Sequence, residues 1–527
     1  VVARGLFVEA LPALRDGYTP RSWEAAVAAV CSRHLDTIQA MILKHTRRTP
    51  DKLCIVYKDR QWTFQQVVSM VASMIGHLRR RQIEPSGGVV AVQLSQSDLC
   101  AIAFLAMYAG RYELQIIDAT AAGRAFRLEV CPAQAFLLES GVEPEPSLIN
   151  VFVDQLDLDS TMRPQDVKFE GELMDVAFIE YTSGSTGKAK AVATLQYRIA
   201  HWVRWRQFHF PLSEGNDRVA YNLFFIWYFH ITMCQGGVTV IYPKELNRDI
   251  SALMRYFEQH EVHRTDCLTP GLISALLDVE ETLPASLKLV ISGGEALPLA
   301  TCRQWLQKWP HVELMNNYAL TEGAADFGFC RMDAKVAAMD LLYAPITDGI
   351  IAWNNELLVD NDELVLEGWN VAEGYLPPAT SESYEATSDP LRRRYRTRDR
   401  ARWVDGNLFL DGRMDWVVKI RGHRVDLAGL EALLYECPAV SDGVMLSYKD
   451  SVWAIVISGD LEAAKAHMER ETPHAHLVVW RSWSELPYTA SGKRDRVAIR
   501  KRLAEEDERQ AVDVSSLPGG EPQTDDE

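Results

Sequence analysis

VAFIEYTSGSTGKAKAV, residues 176–192, passes from an apolar run into a loop of hydroxyls, glycines and lysines. The run at 176–181 is apolar enough to predict a buried strand. It is followed by Thr182, Ser183, Ser185 and Thr186, by Gly184 and Gly187, and by Lys188 and Lys190. Hydroxyls and ammonium groups on a backbone that glycine leaves free to approach make a cradle for an anion. The spacing is not Gly-x-x-x-x-Gly-Lys-Ser/Thr, so the P-loop NTPase pattern is disfavoured. Standing alone, the same loop also reads as a solvent-facing turn. Outward from it, strands are predicted at 89–94 and 287–291 and helices at 101–109 and 299–309. That alternation predicts an α/β protein with buried sheets and covering helices.

The whole chain has 527 residues, enough for several compact units, and 47% of them are hydrophobic and 24% charged. This excludes a mainly disordered, collagen-like or coiled-coil protein. Acidic residues outnumber basic ones by 72 − 55 = 17. A nucleic-acid partner held by phosphate neutralisation is therefore not expected. Nine cysteines without a C-x-x-C pair predict reduced, buried thiols, no cysteine metal site and a cytoplasmic, reducing compartment. An organelle reached after transit-peptide removal stays open. The apolar stretch 219–242 is long enough to raise a membrane span, but Asn222, His230, Gln235 and the Gly236-Gly237 pair interrupt it. A buried helix, a turn and a core strand are predicted there instead, with no membrane. The opening at Val1, without signal-peptide order, reads as a processed or excised start.

The organisation follows from composition. Residues 1–33 predict a helical lead-in, with Trp23, Ala26, Val27 and Val30 at helical spacing. A polar, charged shift at 381–400 precedes a compact segment of about one hundred residues, which places a boundary near Asp415. Residues 504–527 are acidic and poor in apolar side chains, and predict a disordered tail.

Other windows give the loop its meaning. In order, they are RTPDKLCIVYKDRQWTFQQV (48–67), ISGGEALP (291–298), NNYALTE (316–322), DELVLEGWNVAEGY (362–375), YRTRD (395–399), GRMDWVVKIRGHRVD (412–426) and LPYTASGKRDR (486–496). Together with TSGSTGKAKAV, they resemble the ordered motifs of adenylate-forming enzymes, in particular the adenylation domains of nonribosomal peptide synthetases, from about residue 36 to 500. The resemblance implies a large N-terminal domain (34–414), a hinge at Asp415 and a small mobile C-terminal α+β domain (415–503). It also implies ATP and Mg²⁺, and a ligase that turns a carboxylic acid into an acyl-adenylate and passes it to the phosphopantetheine thiol of a carrier protein. That carrier would lie on a separate chain or a removed continuation.

Residue roles carry over by motif. The loop, with Thr182, Ser183, Gly184, Ser185, Thr186, Gly187, Lys188 and Lys190, would hold the departing phosphates. Thr321 and Glu322 would serve the α-phosphate, with Glu322 as the metal carboxylate. Asp399 would accept from the ribose hydroxyls, with Arg413 beside it, and Gly294, Glu295, Asn316, Tyr318 and Arg424 would complete the nucleotide site. Lys493 would bridge the carboxylate and the α-phosphate. The opposite face of the small domain, around 419–424, would meet the thiol after rotation at Asp415.

The acid pocket transfers to Leu223, Phe224, Trp227, Cys267, Ile291, Gly293, Asn317, Ala325 and Asp326. Leu223 or Phe224 stands where amino-acid-activating members keep an aspartate for the α-ammonium, which argues against an ordinary α-amino acid. An aryl, keto or hydroxy acid fits. So does an acid with a distal or quaternary ammonium over Phe224 and Trp227, with Asp326 as counter-charge. Arg398 replaces a glycine of the family pattern, Ala319 and Leu320 replace Gly-Pro, and Trp416 stands where glutamine is common. An acid–CoA ligase of the same superfamily and a noncatalytic scaffold on this fold are the alternatives.

Overall fold

The computed structural model describes residues 35–85, 88–117, 121–182, 190–213, 217–222, 225–376, 383–389, 391–420, 423–449, 451–489 and 493–515. The predicted 1–33 lead-in lies outside them. The chain divides into two compact units, Val1–Met414 and Asp415–Glu527.

The first unit is built on three sheets. A seven-stranded sheet runs Tyr375–Leu376, Lys190–Leu195, Val176–Thr182, Glu113–Ile116, Val89–Gln93, Ala135–Leu138, Ile149–Phe152. The last five of these pair in parallel, while the Val176–Thr182 and Lys190–Leu195 strands are antiparallel. Parallel strands need covering on both faces, and the helices between them supply it. Helix Asp98–Gly110 is buried almost all round, with Ser97 Oγ accepting from Cys100 N at 3.2 Å at its start. Helix Phe64–Arg80 opens with a reciprocal capping box between Thr63 and Gln66.

A nine-stranded sheet is centred on Arg264–Leu268, Leu289–Ser292 and Glu313–Leu320. The apolar stretch 219–242 sits against it as a strand ending at Tyr221, the helix Phe225–Cys234 and the strand Val238–Ile241. Gly236, at φ 77°, makes the turn; a Cβ there would meet His45 Nδ1 at 2.7 Å. No described helix is long and apolar enough to cross a membrane.

In the third sheet the Arg-rich strand Arg393–Val404 pairs with Glu363–Gly368, Tyr384–Ala386 and Asn407–Arg413. Its arginines face carboxylates across the strands. Arg394 meets Glu367 and Glu385, and Arg396 meets Asp360, Glu363 and Glu385.

The second unit carries a hairpin, Val417–Ile420 with His423–Asp426, and a three-stranded sheet, Val440–Tyr448, Ser451–Ser458 and Val478–Ser482. It closes with the helix Arg496–Ser515. This corrects the expected disorder over residues 504–515; residues 516–527 lie outside the described set. The helix persists because Leu503 is fully buried and the acidic residues after it find partners. Lys449 Nζ pairs with Asp507 at 3.0 Å, and Trp483 Nε1 donates to Glu506 at 3.3 Å.

The eight described cysteines are free and buried; Cys31 lies outside the described residues.

Candidate functional site

The first cluster grows from the ends of the loop that opened the sequence. Its interior, residues 183–189, lies outside the described set, but its anchors are fixed: Thr182 and Lys190 are register partners on antiparallel strands. Lys190 Nζ lies 4.6 Å from the centre of the Tyr375 ring, a cation–π contact that ties the loop exit to a neighbouring strand. Tyr375 in turn donates its hydroxyl to Glu322 Oε1 at 3.0 Å. Glu322 lies in a one-turn 3₁₀ helix, Thr321–Gly323, closed by Ala324 at φ 53°. Tyr384 and Tyr395 pack around Tyr375, with ring centres 5.2 Å from Tyr375 to Tyr384 and 4.7 Å from Tyr384 to Tyr395. Burial beside the Glu322 charge pushes the Tyr375 hydroxyl up, so it stays a donor.

The carboxylate of Glu322 fits a magnesium ion that arrives with phosphates. No group of three or more His, Cys, Asp or Glu side chains among the described residues could cage a metal. Mg²⁺ is commonly held by one or two carboxylates plus substrate phosphates and water.

The second cluster is built by the Arg393–Val404 strand. Asp399 Oδ2 accepts from Tyr318 OH at 2.7 Å and Oδ1 from Arg413 at 3.2 Å. Asp399 and Arg413 are also register partners. Asn316 donates to Pro345 O at 2.9 Å and keeps a buried Oδ1 without a partner among the described residues. Gly294 has φ 88°, and Glu295 beside it is half-buried. Thus Tyr318, Asp399 and Arg413 come together, as do Thr182, Lys190 and Glu322 through Tyr375.

The third cluster joins four of the expected pocket residues, Cys267, Gly293, Asn317 and Asp326. Cys267 Sγ lies 3.4 Å from Asn317 Nδ2, and a Cβ on Gly293 would lie 3.2 Å from that sulfur. Ile291 is fully buried, and Trp227 stacks edge-on against Phe178 at 4.5 Å between ring centres. Leu223 and Phe224, and the side chain of Ala325, lie outside what is described.

Asp326 departs from expectation. Its Oδ1 accepts from Tyr228 OH and Asn317 Nδ2, both at 2.7 Å. Its Oδ2 accepts from Trp202 Nε1 at 3.0 Å and Arg206 at 3.1 Å. An ionised carboxylate offers about four lone-pair positions. All are taken, so the expected role of Asp326 as counter-charge to a distal ammonium is corrected: Asp326 already has Arg206 as its cation. Burial pushes the Asp326 carboxyl up, opposed by Arg206 and by the donors from Tyr228 and Asn317.

Sequence reasoning missed Arg206, Trp202, Tyr228 and Asp266. They stand in helices and a strand without motif character, and only tertiary contact joins them.

Lys493 and Arg424 belong to the second unit. The Lys493 backbone is clamped: Thr489 N donates to its carbonyl at 2.7 Å, and its own N–H donates to Thr489 Oγ1 at 3.1 Å. The side chains of Asp415 and Arg424 lie outside what is described.

Residues 42–376 match the protein family described as AMP-binding enzyme. Among curated proteins, the chain is 28% identical over 520 residues to enterobactin synthase component F of Escherichia coli O157:H7, covering 88% of this chain and 39% of that one. It is 26% identical over 495 residues to tyrocidine synthase 2 of Brevibacillus parabrevis, covering 88% and 14%. The chain thus spans two fifths or less of the length of these relatives. Among solved structures, Klebsiella oxytoca NpsA in complex with 3-hydroxyanthranilyl-AMSN superposes with a TM-score of 0.75 at 20% identity, over 89% of this chain and 100% of that one.

Proposed function

The chain belongs to the AMP-binding enzyme family, and from that premise we propose that it activates a small carboxylic acid with ATP and hands the acyl group to the phosphopantetheine thiol of a carrier protein. In the first half-reaction a carboxylate oxygen forms a bond to the α-phosphorus of ATP and the bond to pyrophosphate breaks. In the second, the thiol sulfur bonds to the acyl carbon, AMP leaves, and the thiol proton is released.

The observation that supports this reading best is the meeting of residues named from motifs: Lys190 and Glu322, joined through Tyr375, and Tyr318 with Asp399 and Arg413. Asp399, fixed by two donors, is set to accept from ribose hydroxyls. Thr182, Lys190 and the loop between them would grip the departing phosphates. Thr321 would reach the α-phosphate, and Glu322, steadied by Tyr375, would hold Mg²⁺. When bound, the ion screens the repulsion between the two anions that must meet. Lys493 would supply an ammonium to the reacting oxygens, electrostatic help on the order of 3 kcal/mol.

The experiment is Lys493→Ala. Acid-dependent pyrophosphate exchange is expected to fall at least about 100-fold, while thioester formation from supplied acyl-adenylate continues. Equal loss of both steps overturns the two-step assignment. Exchange absent in the unaltered chain across a broad acid panel overturns the ligase reading, and acylation of free CoA in preference to a pantetheinylated carrier moves the acceptor to CoA.

A further inference from the structure

Arg206 lies at the acid-binding end of the proposed site, in the helix Gln196–His209, and no motif announces it. It is 1% exposed, and its guanidinium lies 2.8 Å from Asp266 Oδ2 and 3.1 Å from Asp326 Oδ2. The rings of Phe329 and Phe210 cover it at 5.0 and 5.2 Å. A break in strand Arg264–Leu268 makes the cluster possible. Cys267 has φ 54°, and pairing with the next strand shifts register between Thr265 and Leu268. Such a bulge interrupts the alternation of faces, so the consecutive residues Asp266 and Cys267 both border the Arg206–Asp326 group.

The hydrogen bonds then fix Asn317. Its Nδ2 faces Asp326 Oδ1 at 2.7 Å, with Tyr228 OH at 3.2 Å and Cys267 Sγ at 3.4 Å. A carboxylate demands the nitrogen end of the amide, so the oxygen end faces away from it. That Oδ1 is buried and has no partner among the described residues, and Asp266 Oδ1 is in the same state. Arg206 Nε and Nη2 are likewise without a hydrogen-bond partner among the described residues, Nη2 lying 2.8 Å from Asp266 Oδ2 in an ion pair. At Asn317 Oδ1 itself, what is missing is a donor.

Resting on the acid-activation reading above, we propose that Arg206 is a positioning residue for substrate selection: by locking Asp326 it holds Asn317 Oδ1 as the open acceptor, and the site therefore takes acids whose distal end carries an O–H or N–H donor. A ligand without that donor leaves a buried acceptor unpaired, and sites of this kind reject such analogues strongly.

The test uses non-hydrolysable acyl-sulfamoyl-adenosine analogues, in short alkyl and aryl series, matched in size and ending in methyl, hydroxyl or amino groups. Calorimetry on the full chain is expected to give at least about tenfold tighter binding for a hydroxyl or amino member than for its methyl partner. Asn317→Leu should erase that ratio. Arg206→Met should bring it within about twofold while methyl-analogue binding changes little. Where Arg206→Met does not fold, the pair Arg206→Met/Asp326→Asn carries the same measurement. A variant that weakens all analogues together and keeps the ratio overturns the role of Arg206. Equal binding of the three analogues overturns the selection. Failure of every analogue in every series overturns the acid-activation reading and this inference with it.

Discussion

Arg398 has φ 62°, in the left-handed region where a side chain costs about 1 kcal/mol relative to glycine. The backbone is held there by Arg398 N donating to Glu363 Oε1 at 2.9 Å. Arg398→Gly is therefore expected to stabilise the protein by about 1 kcal/mol in denaturant titrations. His230 presents the opposite problem. It is fully buried, and neither ring nitrogen has a partner among the described residues. Burial lowers His230 to about 3 and His201 to about 4, so both stay neutral in the fold at pH values where the unfolded chain takes up protons. Their neutral forms cost nothing extra above about pH 6.5. As pH falls from there towards 4, stability is lost, on the order of 3 kcal/mol for each ring. His230→Leu should raise stability at pH 7 by about 1 kcal/mol and flatten the acid slope, read from unfolding midpoints between about pH 7 and 4.5.

At the scale of elements, caps and cross-strand charges decide what forms. Thr63 Oγ1 accepts from Gln66 N at 3.3 Å while Gln66 Oε1 accepts from Thr63 N at 2.9 Å. Thr63→Ala should cost about 1 kcal/mol, measured by chemical unfolding. The strands Val89–Gln93, Val176–Thr182 and Leu289–Ser292 were legible because a buried parallel strand must be a continuous apolar run. The strand Arg393–Val404 was not. Its composition reads as a polar break between domains, and only carboxylates brought across from Glu363–Gly368 and Tyr384–Ala386 make its arginines compatible with a sheet. The site divides the same way. Asp399 and Glu322 stand in motifs and could be named from sequence. Arg206 and Asp266 are 60 residues apart and announce nothing until the fold joins them.

For the whole molecule, the two units have separate cores. One is built around Trp202, Trp205 and Phe178, the other around Leu434, Met445 and Val456. A protein with independent cores need not unfold in one step. Calorimetry is expected to resolve more than one transition, and residues 415–527 expressed alone should give dispersed amide resonances; a single transition with an unfolded fragment would count against independence. The buried cysteines have a consequence at this same scale. Cys267 touches Asn317, at the heart of the proposed acid pocket, yet burial pushes its thiol well above the usual range, as it does for Cys100, Cys234 and Cys302. A mixed anhydride formed beside such a sulfhydryl meets no nucleophile in it. On the proposed function, desolvation of that thiol would work against self-acylation and would leave the cargo for a more ionisable sulfur brought from outside.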